Sequence, residues 1–158
     1  MMKKFLILAA LAICTLGVTA QITTPAPSPA AEMEQVVGLT DVTVTYSRPN
    51  MRGRTIFGDL VPYGKMWRTG ANKNSVISFS TDVTIGGKEV KAGSYAIFTK
   101  PMADNWEVYF YSDTNNWGTP QKWDDAKVAA MVKVPVQKMP MQVESFTMTI
   151  DDLSNEGA

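Results

Sequence analysis

The sequence contains no histidine, and its single cysteine, Cys14, lies in an apolar stretch near the N-terminus. Without histidine, a Ser-His-Asp triad, a Cys-His pair and a histidine zinc site are all excluded. No G-x-S-x-G, Walker or dinucleotide-binding motif is present either. We therefore expect no cofactor and favour a non-catalytic protein. A hydrolase built on carboxylates is the alternative, and its candidate acids are Asp59, Glu89, Glu107, Asp113 and Asp124.

Residues 1–20 have the pattern of a secretory signal peptide. Lys3 and Lys4 precede an apolar run, and small residues before Gln21 offer a cleavage site. The run is too short for a membrane span. The other interpretation is a lipoprotein signal acylated on Cys14, but it would need a small residue where Ile13 stands. We expect export to the periplasm or beyond the cell, with no thiol and no transmembrane segment in the mature chain.

Charge is small in total but unevenly distributed. Basic and acidic residues number 15 each, so loss of Lys3 and Lys4 would leave a net charge of −2. Such a balance predicts neither nucleic acid nor an anionic membrane as a partner. All four arginines nevertheless lie in residues 48–68, where Asp59 is the only acid. Because arginine offers a rigid fork of donors and stacks on aromatic rings, this segregation indicates a specific role.

The pattern of apolar residues predicts a single all-β domain. Residues 21–35 are rich in Pro, Ala and Thr and predict a flexible linker, which places the domain at residues 36–158. Within it, apolar and polar residues alternate with the period of two that half-buried strands show. We predict an antiparallel β-sandwich of jelly-roll or Greek-key type, with one short helix at most, in residues 123–131. The predicted strands are residues 42–46, 77–79, 83–85, 88–90, 95–99, 106–110, 132–136 and 146–150.

The segment GRTIFGDLVPYGKMWRTGAN, residues 53–72, has neither a strand nor a helix period. One interpretation is a structural lid, in which apolar side chains such as Phe57 and Trp67 pack and the arginines bind loop carbonyls or acids. The other is a surface that binds an anionic or hydroxyl-rich small ligand, a glycan or a partner protein. The candidate binding residues are Arg48, Arg52, Arg54, Asp59, Tyr63, Trp67, Arg68, Asn72 and Trp117. We predict no metal site, because Asp113-Thr114-Asn115-Asn116 lacks the pattern of a calcium loop.

Four stretches carry a resemblance to a known family: YSRPNMRGRTIFGDLVPYGKMWRTGAN, VTIGGKEVKAGSYAIFTKP, NWEVYFY and NWGT. Together they resemble the DUF2911 family over residues 42–153. The resemblance implies an exported, β-rich bacterial protein, mainly from Bacteroidetes, without known catalytic residues. Family members usually continue with a strand containing W-E, so we expect one or two further strands after Ala158. We predict a binding or envelope-associated structural module; the alternative hydrolase would act on a glycan or another envelope substrate.

Overall fold

A computed structural model of the chain describes residues 23–154, and the predicted signal peptide lies outside them. Eight strands and one short 3-10 turn make up the regular structure of these described residues. The strands are β1 (Ala30–Val37), β2 (Thr40–Ser47), β3 (Ser75–Phe79), β4 (Val83–Ile85), β5 (Lys88–Val90), β6 (Gly93–Pro101), β7 (Asn105–Tyr111) and β8 (Val128–Pro135), and the turn is Asp125–Lys127. No helix of the described residues has the length and apolar character needed to cross a membrane.

Six of the strands form one antiparallel sheet in the order β1-β2-β3-β6-β7-β8. The remaining two, β4 and β5, form a separate hairpin whose Gly86-Gly87 turn has positive φ at both residues. The prediction of an all-β antiparallel fold is confirmed. The strand order, however, is a meander rather than a jelly roll or Greek key, because each strand of the large sheet pairs with the one before it once the hairpin is set aside.

One face of the sheet carries most of the core. Alternation along β2 turns Val42, Val44 and Tyr46 to this face, and Val44 pairs with Ile77 of β3. Ile97 of β6 lies on the same face and packs with Val44 and Tyr46. The β4–β5 hairpin covers one end of this face, where Val90 is 2% exposed. The irregular chain at residues 145–150 covers the rest, so the core lies between the sheet and a second, less regular layer.

The opposite face has a smaller cluster around Phe98, which is fully buried in the centre of β6. Trp123 lies over it, with its ring 5.4 Å from that of Phe98 and stacked at 4.6 Å on that of Tyr111. Residues 112–127 therefore cover this second face. Since β6 is buried on both faces, it is the central strand of the domain.

The structure differs from the prediction in two segments, the predicted linker at residues 21–35 and the predicted strand at residues 146–150. Pairing begins at Ala30, inside the predicted linker, because Ala31 and Met33 alternate with Glu32 and Glu34 and pack on the core. At the other end, residues 146–150 do not join the sheet. Phe146 and Met148 do turn inward as alternation predicted, but the amide of Phe146 binds the carbonyl of Pro49 and the amide of Met148 binds the hydroxyl of Tyr46.

The predicted helix at residues 123–131 is wrong except for the 3-10 turn. Asp124 caps that turn by accepting a hydrogen bond from the amide of Ala126. From Val128 onward the chain is strand β8, paired with β7. Of residues 128–131 only Val128 is β-branched, so the pairing with β7 rather than local preference makes this stretch a strand.

Candidate functional site

The connection between β2 and β3, residues 48–74, is bound to the sheet rather than lying loose over it. The amide of Trp67 donates to the carbonyl of Thr99 over 2.7 Å, and the amide of Thr99 donates back over 2.9 Å. The amide of Gly64 binds the carbonyl of Pro101. Because β3 pairs with β6 only as far as Ile97, this connection continues the pairing along the outer half of β6.

Aromatic side chains of this connection form a cluster with the sheet. Trp67 makes edge-to-face contacts with Phe57, Trp106 and Phe146, at centroid distances of 5.8, 6.3 and 5.3 Å. Phe146 in turn contacts Tyr46 of β2 at 5.8 Å. We call these five residues the aromatic cluster. It has the geometry of the lid interpretation, since side chains from the connection, the sheet and residues 145–150 converge on one ring.

Three of the four arginines bind oxygen atoms of the chain itself. Arg48 donates from Nε to the carbonyl of Phe146 (3.0 Å) and from Nη2 to the hydroxyl of Thr147 (2.7 Å). Arg54 binds the carbonyls of Met51 and Asn50 within its own turn. Arg52 reaches the carbonyl of Pro27 at 3.3 Å, and its backbone has a positive φ of 51°.

None of the arginines forms an ion pair with a carboxylate in residues 23–154. The structure therefore neither gathers the arginines in one groove nor buries them against acids. Arg48, Arg52 and Arg54 hold the connection and the residues near both ends of the domain by bonding to carbonyl groups, as the lid interpretation allows.

Arg68 has a different environment. Its Nε is buried and has no hydrogen-bond partner among the described residues. The same is true of both amide atoms of Asn74, which is only 5% exposed. Neither residue can be explained as a brace for the connection, because both carry buried polar atoms that no described residue satisfies.

An open cleft of about 500 Å³ lies on the second face of the sheet, over Tyr111. Its walls are mainly polar, with Trp123 as the aromatic component. The lining residues are Tyr111, Asp113, Asn116, Pro120, Gln121, Lys122, Trp123, Asp124 and Lys127. Residues 113–127 supply all of them except Tyr111, so a single stretch of chain shapes the cleft.

Charge inside the cleft is largely compensated. Lys127 binds Asp113 at 2.7 Å and so lowers the pKa of that carboxyl, while the pKa of Lys127 is raised by the same contact. Asp113 also accepts the amide of Asn115. The pair is thus fixed in its charged form at neutral pH, and the cleft offers both donors and acceptors without a strong net charge.

The other candidate binding residues are dispersed. Asp59 is exposed near the tip of the connection, and Tyr63 is 47% exposed. Asn72 donates to the hydroxyl of Ser47 at 3.3 Å. Trp117 is 73% exposed and follows Asn116, a residue of the cleft wall.

Sequence reasoning did not select Asn74, Asn116 or Gln121. Asn116 is the first residue of the NWGT motif and Gln121 follows the motif closely, but only the folded chain places them around a cleft over Tyr111. Asn74 directly precedes β3, and a polar residue at a strand end is common, so its burial had no signal in the sequence.

Comparison with known proteins gives one result. The family model described as "Protein of unknown function (DUF2911)" matches residues 28–158. This confirms the resemblance drawn from the sequence motifs. No curated protein and no solved structure matches the chain.

Proposed function

The chain belongs to the DUF2911 family, and we propose that it is an exported, non-catalytic module that binds a hydroxyl-rich ligand such as a glycan. The observation that carries this proposal is the open cleft of about 500 Å³ over Tyr111, whose walls are polar around one tryptophan. Small-ligand sites commonly have this size, with a few polar groups that fix orientation.

The chemistry of the cleft suits sugar hydroxyls. Carboxylate, amide and ammonium groups of Asp113, Asn116 and Lys127 can each accept or donate a hydrogen bond to a hydroxyl group. Trp123 offers an apolar ring edge beside them, although its face is stacked on Tyr111. The Asp113–Lys127 ion pair holds these groups in place before a ligand arrives, which reduces the entropic cost of binding.

The connection between β2 and β3 supports the site from behind. Its pairing to Thr99 and its aromatic cluster fix the outer half of β6. The second face of that strand carries Phe98, on which Trp123 rests. In this proposal Arg48, Arg52 and Arg54 brace the connection and do not touch the ligand.

Calorimetric titration with neutral oligosaccharides tests the binding proposal. We expect saturable binding that is weakened roughly tenfold or more in Asn116→Ala and Gln121→Ala, since each loses a hydrogen bond. Thr84→Ala is the matched control, because Thr84 is an exposed polar residue of the hairpin on the opposite face. Binding that is absent, or equal in all four proteins, would reject the cleft as the site.

Export is a separate part of the proposal and rests on residues 1–20. Expression of the full chain in a bacterial host, followed by fractionation and N-terminal mass spectrometry, should give a periplasmic or secreted product that begins at Gln21. A cytoplasmic product that retains Met1, or a lipid-modified product that begins at Cys14, would contradict it.

A carboxylate-dependent hydrolase is the second candidate, because Asp113 and Asp124 line the same cleft. Glycoside hydrolysis by paired carboxyl groups needs one acid that is protonated near neutral pH. The contact with Lys127 lowers the pKa of Asp113, which makes it a poor proton donor. Release of reducing ends from bound oligosaccharides, abolished in Asp124→Asn, would favour the hydrolase over the binding module.

A further inference from the structure

Arg68 and Asn74 belong to the same second face of the sheet as the cleft, although neither lines the cleft itself. Trp67 pairs with Thr99 and contacts the core face, so the next residue, Arg68, is turned the other way. Ser75 pairs with Ile97 of the core face, so by the same alternation Asn74, the residue before it, is turned to the second face. The hydroxyl of Ser75 donates to the carbonyl of Thr69. That bond links the two short stretches directly, because Thr69 follows Arg68 and Ser75 follows Asn74.

Both residues also contact the stretch 116–118, which joins them to the cleft. The backbone amide of Asn74 donates to the carbonyl of Asn116 over 3.5 Å, and Lys73 pairs with Trp117. A Cβ atom on Gly118 would lie 3.4 Å from Nη1 of Arg68, so the guanidinium packs against Gly118. Asn116 itself lines the cleft. The buried polar groups and the open cleft are thus separated by no more than the strand-like stretch 116–118.

The two side chains carry an unusual energetic penalty. Asn74 is only 5% exposed, and neither its Nδ2 nor its Oδ1 has a hydrogen-bond partner in the described part of the chain. A buried polar group that is left unpaired lowers the stability of the folded state. Nε of Arg68 adds a buried donor on a charged group, and no carboxylate of residues 23–154 pairs with it. Groups retained at such a cost are typical of a site that a ligand satisfies.

We infer that Arg68 and Asn74 form an anion-recognising subsite of the cleft, which takes the carboxylate and an adjacent hydroxyl of an acidic sugar. The inference rests on the proposed function, because the rest of the sugar would occupy the cleft over Tyr111. The guanidinium of Arg68 supplies donors to the carboxylate, and Nδ2 of Asn74 supplies a further one. Oδ1 of Asn74 needs a donor, which a carboxylate lacks and a neighbouring hydroxyl provides.

Gly118 borders the proposed subsite. The residue is buried and has a φ of 87°, a conformation that favours glycine. A side chain there would lie against Nη1 of Arg68, so glycine leaves the space beside the guanidinium free. Trp117, the residue before it, has an exposed ring.

Paired titrations with D-glucuronate and D-glucose at constant ionic strength test the inference. We expect glucuronate to bind roughly tenfold more tightly than glucose or better, because one charge-assisted hydrogen bond contributes about that factor. Arg68→Gln should remove that preference and leave the affinity for glucose unchanged. Rising salt should weaken glucuronate binding selectively. Equal affinity for the two sugars in the unmodified protein would overturn the subsite while leaving the binding proposal intact, whereas failure of every sugar to bind would reject both.

A second variant tests the subsite without any ligand. Asn74→Leu has nearly the same shape and removes two unpartnered polar atoms from the interior, so we expect a higher melting temperature together with a loss of the preference for glucuronate. A lower melting temperature would mean that Asn74 is held by structural water and stabilises the fold, which contradicts a ligand subsite. The melting temperature of Asn74→Leu therefore still tests the subsite if Arg68→Gln fails to fold.

Discussion

The ring of Trp67 meets the ring of Phe146 edge-on, with 5.3 Å between the centroids and 72° between the planes. The two residues are far apart in sequence, and neither belongs to one of the eight strands. Their contact joins the connection between β2 and β3 to residues 145–150, a segment that packs on the core face. The irregular parts of the chain therefore hold one another against the sheet.

Replacing Trp67 by alanine should destabilise the domain strongly. The variant loses three edge-to-face contacts and leaves a cavity beside Trp106, so the free energy of unfolding should fall by about 3 kcal/mol. Trp117→Ala is the matched control, since Trp117 is 73% exposed and should change stability by less than about 0.5 kcal/mol. Urea unfolding followed by circular dichroism measures both, and similar midpoints would show that the aromatic cluster does not support the fold.

Arg48 should be the arginine that matters most for stability. Arg48→Ala removes two hydrogen bonds to residues 146 and 147, and we expect a loss of about 1–2 kcal/mol. The effect should be local, with faster amide hydrogen exchange in residues 145–150 than in β6. Lys65→Ala provides the control, because Lys65 is an exposed cation of the same connection. Unchanged exchange in residues 145–150 would show that Arg48 does not hold that segment.

The sequence predicted the strands well because their signal is local. Alternation in β2 and the turn at Gly86-Gly87 need no knowledge of distant residues. At residues 146–150 the prediction of a strand failed because the deciding partners are remote. Phe146 and Met148 have the alternation of a strand, yet their amides bind Pro49 and Tyr46, about a hundred residues earlier in the chain.

The candidate site was harder to predict for the same reason. The concentration of arginines drew attention to residues 48–68, but composition does not distinguish Arg48, which binds a carbonyl, from Arg68, whose Nε has no partner among the described residues. The cleft and Asn74 become visible only when residues 73–75 and 116–118 are brought side by side.

Gly86 should tolerate a side chain less well than its neighbour Gly87. Both have positive φ, so alanine at either position costs about 1 kcal/mol of backbone strain. A Cβ atom on Gly86 would also clash with Cγ1 of Val132, whereas at Gly87 it would meet no atom within 4 Å. Gly86→Ala should therefore lower the melting temperature clearly more than Gly87→Ala, and equal effects would contradict the packing of the hairpin against β8.

Stability at the pH extremes should depend on Tyr109 and Glu107. The hydroxyl of Tyr109 donates to Glu107 at 2.7 Å, and Lys100 lies 3.3 Å from the same carboxylate. Burial, reinforced by this bond, raises the pKa of Tyr109 from 10.0 to about 12. The bond from Tyr109 is also the main cause that lowers the pKa of Glu107 below 4.5.

The signs of the two effects are opposite. The folded state holds the Tyr109 proton more tightly than the unfolded state does. The contribution of Tyr109 to the free energy of unfolding is therefore complete below about pH 10 and is lost as the pH rises through 12. Glu107 favours its charged form when folded, so its contribution is present above pH 4.5 and is lost as the pH falls through the lowered pKa. Chemical unfolding of the unmodified protein and Tyr109→Phe should therefore give a stability difference that shrinks between pH 10 and pH 12 and also below pH 4.5. A difference that is constant across the whole range would refute the coupling between the two side chains.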